Sequence, residues 1–313
     1  VRKADITVDV VRCLVAGQFP QWADLAIRAV VLDGWDNTTF RLGEELSVRL
    51  PSDDAYVAQI DKEHRWLPVL APLRPQPIPA PVAKGAPGCG FPRPWSIYRW
   101  LPGEPVAVAG VADPDGLAAD LAAFLRALHT APADGGPPAG AHSFVRGGPV
   151  SVWDDQVRAT IAELGGEIDA AAATDVWEAA LAAPWAGPGV WVHGDVCGSN
   201  LLVRDGRLCG VIDFGCCAVG DPACDLTPAW TMFDGTSRDR FRSLLGYDDA
   251  TWARARGWAL WKALIAIPGH PPDDPGRSGA RFGWARDAAA VVAHVIDDHR
   301  TTRSRFDRSR RAR

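Results

Sequence analysis

Residues 193–200 read HGDVCGSN and residues 213–215 read DFG, with the run LLVRDGRLCGVI between them. No other part of the chain limits the fold as tightly. Asp205 and Gly206 lie between two short apolar, β-prone runs, which predicts a tight hairpin. A hairpin returns its exit to its entry, so Asn200 and Asp213 can share one site, with Asp195 on the loop just before them. Two carboxylates and an amide oxygen in an apolar setting suit a hard cation such as Mg²⁺. Asp and Asn more often terminate turns, and either motif alone would leave that reading open. Both in order, joined by a hairpin of this length, favour a site.

The spacing adds a mechanism. In protein kinases the catalytic loop H-R-D-x-x-x-x-N supplies a base and a metal-binding Asn, and a later D-F-G supplies a second metal ligand. HGDVCGSN and DFG repeat that order and spacing. Phosphoryl transfer asks for little more: a positioned hydroxyl, a group to receive its proton, and positive charge along the triphosphate.

The rest of the chain divides into two alphabets. Residues 1–30 predict a helix and then a strand, and residues 31–51, broken by Gly34 and Gly43, predict two or three antiparallel strands. A helix follows with Val57, Ile60, His64, Leu67 and Leu70 on one face, which Pro68 should end or kink. The Pro-rich stretch 72–94 suggests extended edge segments, and WSIYR one more strand. Past Pro102 and Gly103 the pattern turns helical, beginning with Leu117, Leu121, Phe124, Leu125 and Leu128 on a single stripe. Further helices are predicted near 151–165, 172–183, 238–246, 249–267 and 281–299. Three regions result: residues 1–101, residues 102–299, and an Arg-rich tail, 300–313, expected to be disordered.

That tail carries seven Arg and one Asp, so within a net charge of −5 the body stands near −11. An acidic body suits a cationic small molecule, although acidity mostly serves solubility. No nucleic-acid partner is expected. No run of 18 apolar residues and no signal-peptide pattern occurs, which points to a cytoplasmic protein without a membrane partner. The seven cysteines contain no C-x-x-C pair and read as reduced thiols filling small gaps.

With GWDNTTFRLGEELSVRLP, WSIYRWLPGE and GDPACDLTPAW beside the loop, the chain resembles the aminoglycoside phosphotransferase family over most of residues 30–265. The resemblance implies an α+β, two-lobed protein-kinase-like fold, with a small antiparallel-sheet N-lobe and a larger, mostly helical C-lobe. It also implies Asp195 as catalytic base and Asn200 and Asp213 as metal ligands; Cys197 and Ser199 depart from the usual loop. Gly34 and Asn37 would belong to the nucleotide loop. Arg49 stands where such kinases carry a Lys, with Glu63 as its partner, and Arg99, Leu101, Leu202 and Ile212 would surround the base. His193 and Asp225 would fasten the loop, and Trp230 or Trp258 could line the acceptor site.

These features imply a Mg²⁺-dependent kinase using ATP or GTP and acting on a small-molecule hydroxyl. The preferred acceptor is an aminoglycoside-type antibiotic, with Asp154, Asp155, Asp234 and Asp239 available to it. The alternatives are a macrolide, another antibiotic or a metabolic alcohol as acceptor, and a nucleotide-binding regulatory protein without turnover.

Overall fold

A computed structural model describes residues 3–30, 36–267 and 287–311. Helix α1 (Val8–Gln18) starts at Thr7, whose hydroxyl accepts the Val10 N–H. Strands β1 (Ile27–Ala29), β2 (Asn37–Leu42) and β3 (Leu46–Pro51) follow, then α2 (Val57–Leu70), β4 (Pro81–Gly85) and β5 (Trp95–Arg99). The strands form one antiparallel sheet in the order β1-β2-β3-β5-β4. Prolines remove N–H donors, which is why the Pro-rich stretch supplies the edge strand β4 rather than a central one. Pro68 ends α2 only after two more residues.

This sheet and α1 enclose a core of their own, in which Leu14, Val15, Val48, Leu50, Trp95 and Ile97 are buried. Cys13 and Cys89 form a disulfide that ties α1 to the turn ahead of β5. The reduced-thiol reading therefore fails at these two cysteines. They stand 76 residues apart in sequence, and only the packing of α1 brings their Cα atoms to 6.1 Å. Cys197, Cys209, Cys216, Cys217 and Cys224 are free thiols.

Past β5 the chain crosses through residues 100–103 into β6 (Glu104–Pro105), which pairs with β8 (Leu201–Arg204), itself paired with β9 (Arg207–Val211). The predicted hairpin is thus present, and the crossing segment is bonded directly to it. Asp205 and Gly206 take φ of 51° and 75°, as a type I′ turn requires. β7 (Val190–Val192) pairs instead with β10 (Ala218–Gly220).

The helical part contains α3 (Val106–Ala109), α4 (Pro114–His129), α5 (Asp154–Glu163), α6 (Ala170–Leu181), α7 (Pro228–Thr231), α8 (Gly235–Leu245), α9 (Asp249–Leu264) and α10 (Ala288–Arg311). α4 is capped by Asp113, whose carboxylate accepts the Gly116 N–H, and it buries the whole predicted stripe. Each such Leu contributes roughly 1.5–3 kcal/mol, enough to hold the helix on the core. α9 is buried on nearly every face from Trp252 to Leu264, and so carries Lys262 into the interior. The tail expected to be disordered is helical as far as Arg311, within α10. Arg300 and Arg303 pair there with Asp169 and Asp175, at 2.6 and 3.5 Å, tying the basic turns to the acidic side of α6.

Candidate active site

Gly194 opens the loop at φ +82°, and a Cβ there would lie 2.6 Å from the Cys216 carbonyl oxygen, so only glycine lets the loop touch the segment after DFG. Asp225 fastens the same turn: its two carboxylate oxygens accept the His193 and Gly194 N–H groups, each at 2.7 Å. Burial opposes the Asp225 charge, but the hydrogen bond from His129 and the His193 N–H outweigh it and hold the carboxyl below its ordinary range. His193 accepts the Asp195 N–H at Nδ1 (3.2 Å), so Nε2 carries the proton and donates to the Ile212 carbonyl (3.0 Å). His193 thereby binds loop to hairpin.

Asn200 donates through Nδ2 to the Asp195 carbonyl (2.9 Å) and to Asp195 Oδ2 (3.3 Å), which leaves its Oδ1 for a cation. Asp195 Oδ1 accepts from Lys262 Nζ at 2.7 Å. The Lys262 side chain is 4% exposed and that of Asp195 27%. Burial works against both charges. The Lys262 ammonium, with the Arg146 charge adding, nevertheless holds the Asp195 carboxyl below its ordinary range, and Asp195 in turn holds the ammonium above its own. Cys197 Sγ and Ser199 Oγ stand 3.1 Å apart and engage each other. Burial pushes the Cys197 thiol up to about 12, so it stays protonated.

Asp213 sits in the left-handed region, at φ 66°, which for a non-glycine residue marks a held conformation. Arg49 on β3 holds it: Nη2 lies 2.9 Å from Asp213 Oδ1, and Nη1 lies 3.4 Å from Glu63 Oε1 on α2. The pair with Glu63 is the expected one; the bond to Asp213 is additional. Burial opposes the guanidinium charge, but Glu63 and Asp213 more than offset it and raise its pKa. Glu63 also accepts the Tyr98 hydroxyl.

Asp36 lies close by, accepting from Gln59 Nε2 at 3.0 Å. Burial, then the charge of Asp213 with Asp195 behind it, pushes its carboxyl up to about 7. A divalent cation fits this donor set, because Asn200 Oδ1 and the Asp213 carboxylate are hard oxygen ligands and positive charge would relieve the repulsion felt by Asp36. Among the described residues no three His, Cys, Asp or Glu side chains already stand in metal-binding geometry. Asp213 is turned to Arg49 instead.

Of the nucleotide candidates, Asn37 is buried on β2 opposite Pro51. Leu101 and Leu202 meet around Gly210, each within 3.6 Å of where its Cβ would be. Ile212 donates its N–H to the Asn200 carbonyl at 2.9 Å. Arg99 turns away to Glu45 (3.2 Å), with its N–H on the Ala80 carbonyl. Gly34 lies outside the described residues.

Three residues near the loop escaped the sequence: Lys262, Arg146 and Asp36. Lys262 had a signal, since a charge inside the apolar run GWALWKALIAI must find a partner when that run is buried. The acceptor candidates fare differently. Trp230 is fully buried and packs on Trp252, while Trp258 lies beneath the Arg146 guanidinium. Asp154 bonds Arg158 and Trp177, Asp234 caps α8, and Asp155 and Asp239 are exposed.

Residues 27–258 match the model of the phosphotransferase enzyme family. The fold is similar to that of the GDP complex of aminoglycoside 2'-phosphotransferase-IIIa, with a TM-score of 0.67 at 17% identity, covering 92% of this chain and 98% of that one. It is similar also to the streptomycin–ATP complex of APH(2'')-IIa (TM-score 0.59, 19% identity, 87% and 93% covered). A macrolide 2'-phosphotransferase from Brachybacterium faecium shares it at TM-score 0.61 and 22% identity, over 91% of this chain and 98% of that one. No curated protein matches the sequence. The architecture is the two-lobed, protein-kinase-like one.

Proposed function

The chain belongs to the phosphotransferase enzyme family, and we propose that it transfers the γ-phosphate of ATP or GTP to a hydroxyl of a small molecule. One observation carries this reading: Asp195, Asn200 and Asp213 converge from one loop and one hairpin, with Arg49 and Glu63 reaching the same place from the sheet. Mg²⁺ held by Asn200 and Asp213 would supply charge that neutralises the triphosphate. Arg49 would swing one arm of its fork from Asp213 to phosphate oxygens while Glu63 keeps the other. Asn37, Leu101, Leu202 and Ile212 would enclose the nucleotide, with the backbone at Arg99 beside them.

Asp195, held ionised by Lys262, is a weak base. That suits a loose transition state, in which orienting the hydroxyl matters more than removing its proton early. Lys262 fixes one carboxylate oxygen and Asn200 the other, so the carboxylate presents a defined face to the acceptor.

The kanamycin, gentamicin and streptomycin complexes among similar structures support an aminoglycoside-type acceptor, and the macrolide enzymes support its rival. On the side of Asp195 that faces α9, the cations Lys262 and Arg146 weigh against a polycation. An acceptor of low positive charge fits better. A regulatory nucleotide binder without turnover is disfavoured by the intact Asp195, Asn200 and Asp213. No described helix is long and apolar enough to cross a membrane, and the need for nucleoside triphosphate supports a cytoplasmic site of action. Incubation with Mg²⁺, ATP or GTP and a panel of amino sugars, macrolides and simple alcohols tests the reading. A phosphate ester on one of them is expected; nucleotide binding with no transfer to any acceptor or to water would contradict it.

A further inference from the structure

Arg146 stands beside the catalytic loop without a carboxylate of its own. Its Nε and Nη1 atoms are buried and have no hydrogen-bond partner. Its guanidinium lies 4.2 Å from the centre of the Trp261 ring and 5.6 Å from that of Trp258. Trp153 stacks on the same Trp261, with centroids 4.6 Å apart and planes 25° from parallel. The arginine is fixed close to the loop, because a Cβ on Gly194 would lie 2.9 Å from Arg146 Cβ. Lys262, the residue after Trp261, is neutralised by Asp195, so Arg146 is the surplus charge. The carboxylates around the loop are already engaged: Asp195 with Lys262, Asp213 with Arg49, Asp36 with Gln59, Asp225 with His129 and Asp221 with Arg254.

A part-buried guanidinium set against aromatic rings, with Nε and Nη1 buried and idle, costs stability unless something pairs with those donors. We propose that this partner is the acceptor: a hydroxylated small molecule carrying an anionic group, carboxylate or phosphate, that Arg146 receives while Asp195 orients the hydroxyl. The fork of the guanidinium matches two oxygens of such a group, and the aromatic surroundings strengthen the pairing. The nucleotide's γ-phosphate is the other possible source of anionic oxygens. Arg49 already serves the Asp213 side, whereas Arg146 approaches Asp195 from the helical side with α9.

The proposal rests on the kinase reading and deepens it. Its test compares glucose, glucuronate and glucosamine as acceptors with Mg²⁺–ATP or Mg²⁺–GTP, following phosphoryl transfer and nucleotide hydrolysis together. Glucuronate should exceed glucose in kcat/KM by roughly 10- to 100-fold, the worth of one hydrogen bond to a charged group, and glucosamine should be poorest. Arg146→Met should abolish that preference, and Arg146→Lys, which keeps the charge without the fork, should retain part of it. Preference for glucosamine, or no selectivity among the three, overturns the proposal while continued nucleotide hydrolysis leaves the kinase reading standing. A raised nucleotide KM in Arg146→Met with the acceptor preference intact also overturns it, assigning Arg146 to the γ-phosphate. Absence of both transfer and hydrolysis sinks the kinase reading and this proposal with it.

Discussion

On the side of the site facing β3 and α2, three carboxylates, Asp36, Asp213 and Glu63, share the single guanidinium of Arg49. On the side facing α9, two cations, Lys262 and Arg146, share the single carboxylate of Asp195. Even with the Lys62 ammonium near Glu63 and Asp213, the first arrangement holds more carboxylates than cations, which on the proposed reading would suit a metal–nucleotide; the second holds more cations than carboxylates, which would disfavour a polycation. On the proposed reading, nucleotide and acceptor would be separated by charge as well as by position. Net charge over the whole chain, −5, conceals this division.

The largest effect should come from the residue between the two sides. Asp195→Ala is predicted to lower kcat by roughly 10²–10⁴-fold, the usual worth of a positioned base, while nucleotide affinity persists; steady-state kinetics with an unchanged kcat would refute that role. Lys262→Met sharpens the comparison on the helical side. Without the ammonium, burial dominates at Asp195 and its pKa rises, so the acid limb of the kcat–pH profile should move to higher pH, with kcat down by about tenfold or more. Lys262→Arg should restore the limb. A limb that stays in place would separate Lys262 from the base.

On the sheet side, Arg49→Lys should raise the nucleotide KM by about tenfold, since one ammonium cannot fork between Glu63 and a phosphate. An unchanged KM would make Arg49 a merely structural partner of Asp213. Asp36→Asn tests the crowding of carboxylates. The folded-state pKa of Asp36 is raised above the ordinary value to about 7, so the folded protein binds that proton more tightly than the unfolded one. Its contribution to stability is full at low pH and is lost as pH rises from about 4 toward 7. The variant should therefore melt higher than the native protein at pH 8 and equally at pH 4, and Mg²⁺–nucleotide should narrow the gap at pH 8. The smallest effect at the site is expected from Cys13→Ser with Cys89→Ser. It should lower the melting temperature by several degrees and leave kcat as it was, because the disulfide belongs to the core of α1 and the sheet.

The two sides also differ in how far the sequence discloses them. Asp195, Asn200 and Asp213 lie within 19 residues of one another, and the Asp205–Gly206 turn between them leaves a local signature that spacing can expose. Arg49 and Glu63 lie on adjacent elements, and their pairing was legible from the same scheme. Lys262 and Arg146 reach the loop from residues 67 and 49 positions away, through packing of α9 and of the segment before α5. No short-range pattern encodes such an approach. The disulfide and the helical tail were hidden for the same reason: each depends on a partner that only the assembled fold supplies. The Leu stripe of α4 and the edge strand among the prolines needed no such partner to be foreseen.

The most direct test of a site built on Asn200 and Asp213 is calorimetric titration of Mg²⁺–ATP and Mg²⁺–GTP into the native protein, Asp213→Ala and Asp195→Ala. Asp213→Ala should weaken binding by at least about tenfold while Asp195→Ala binds as the native protein does. Equal affinity in the native protein and Asp213→Ala would contradict the account.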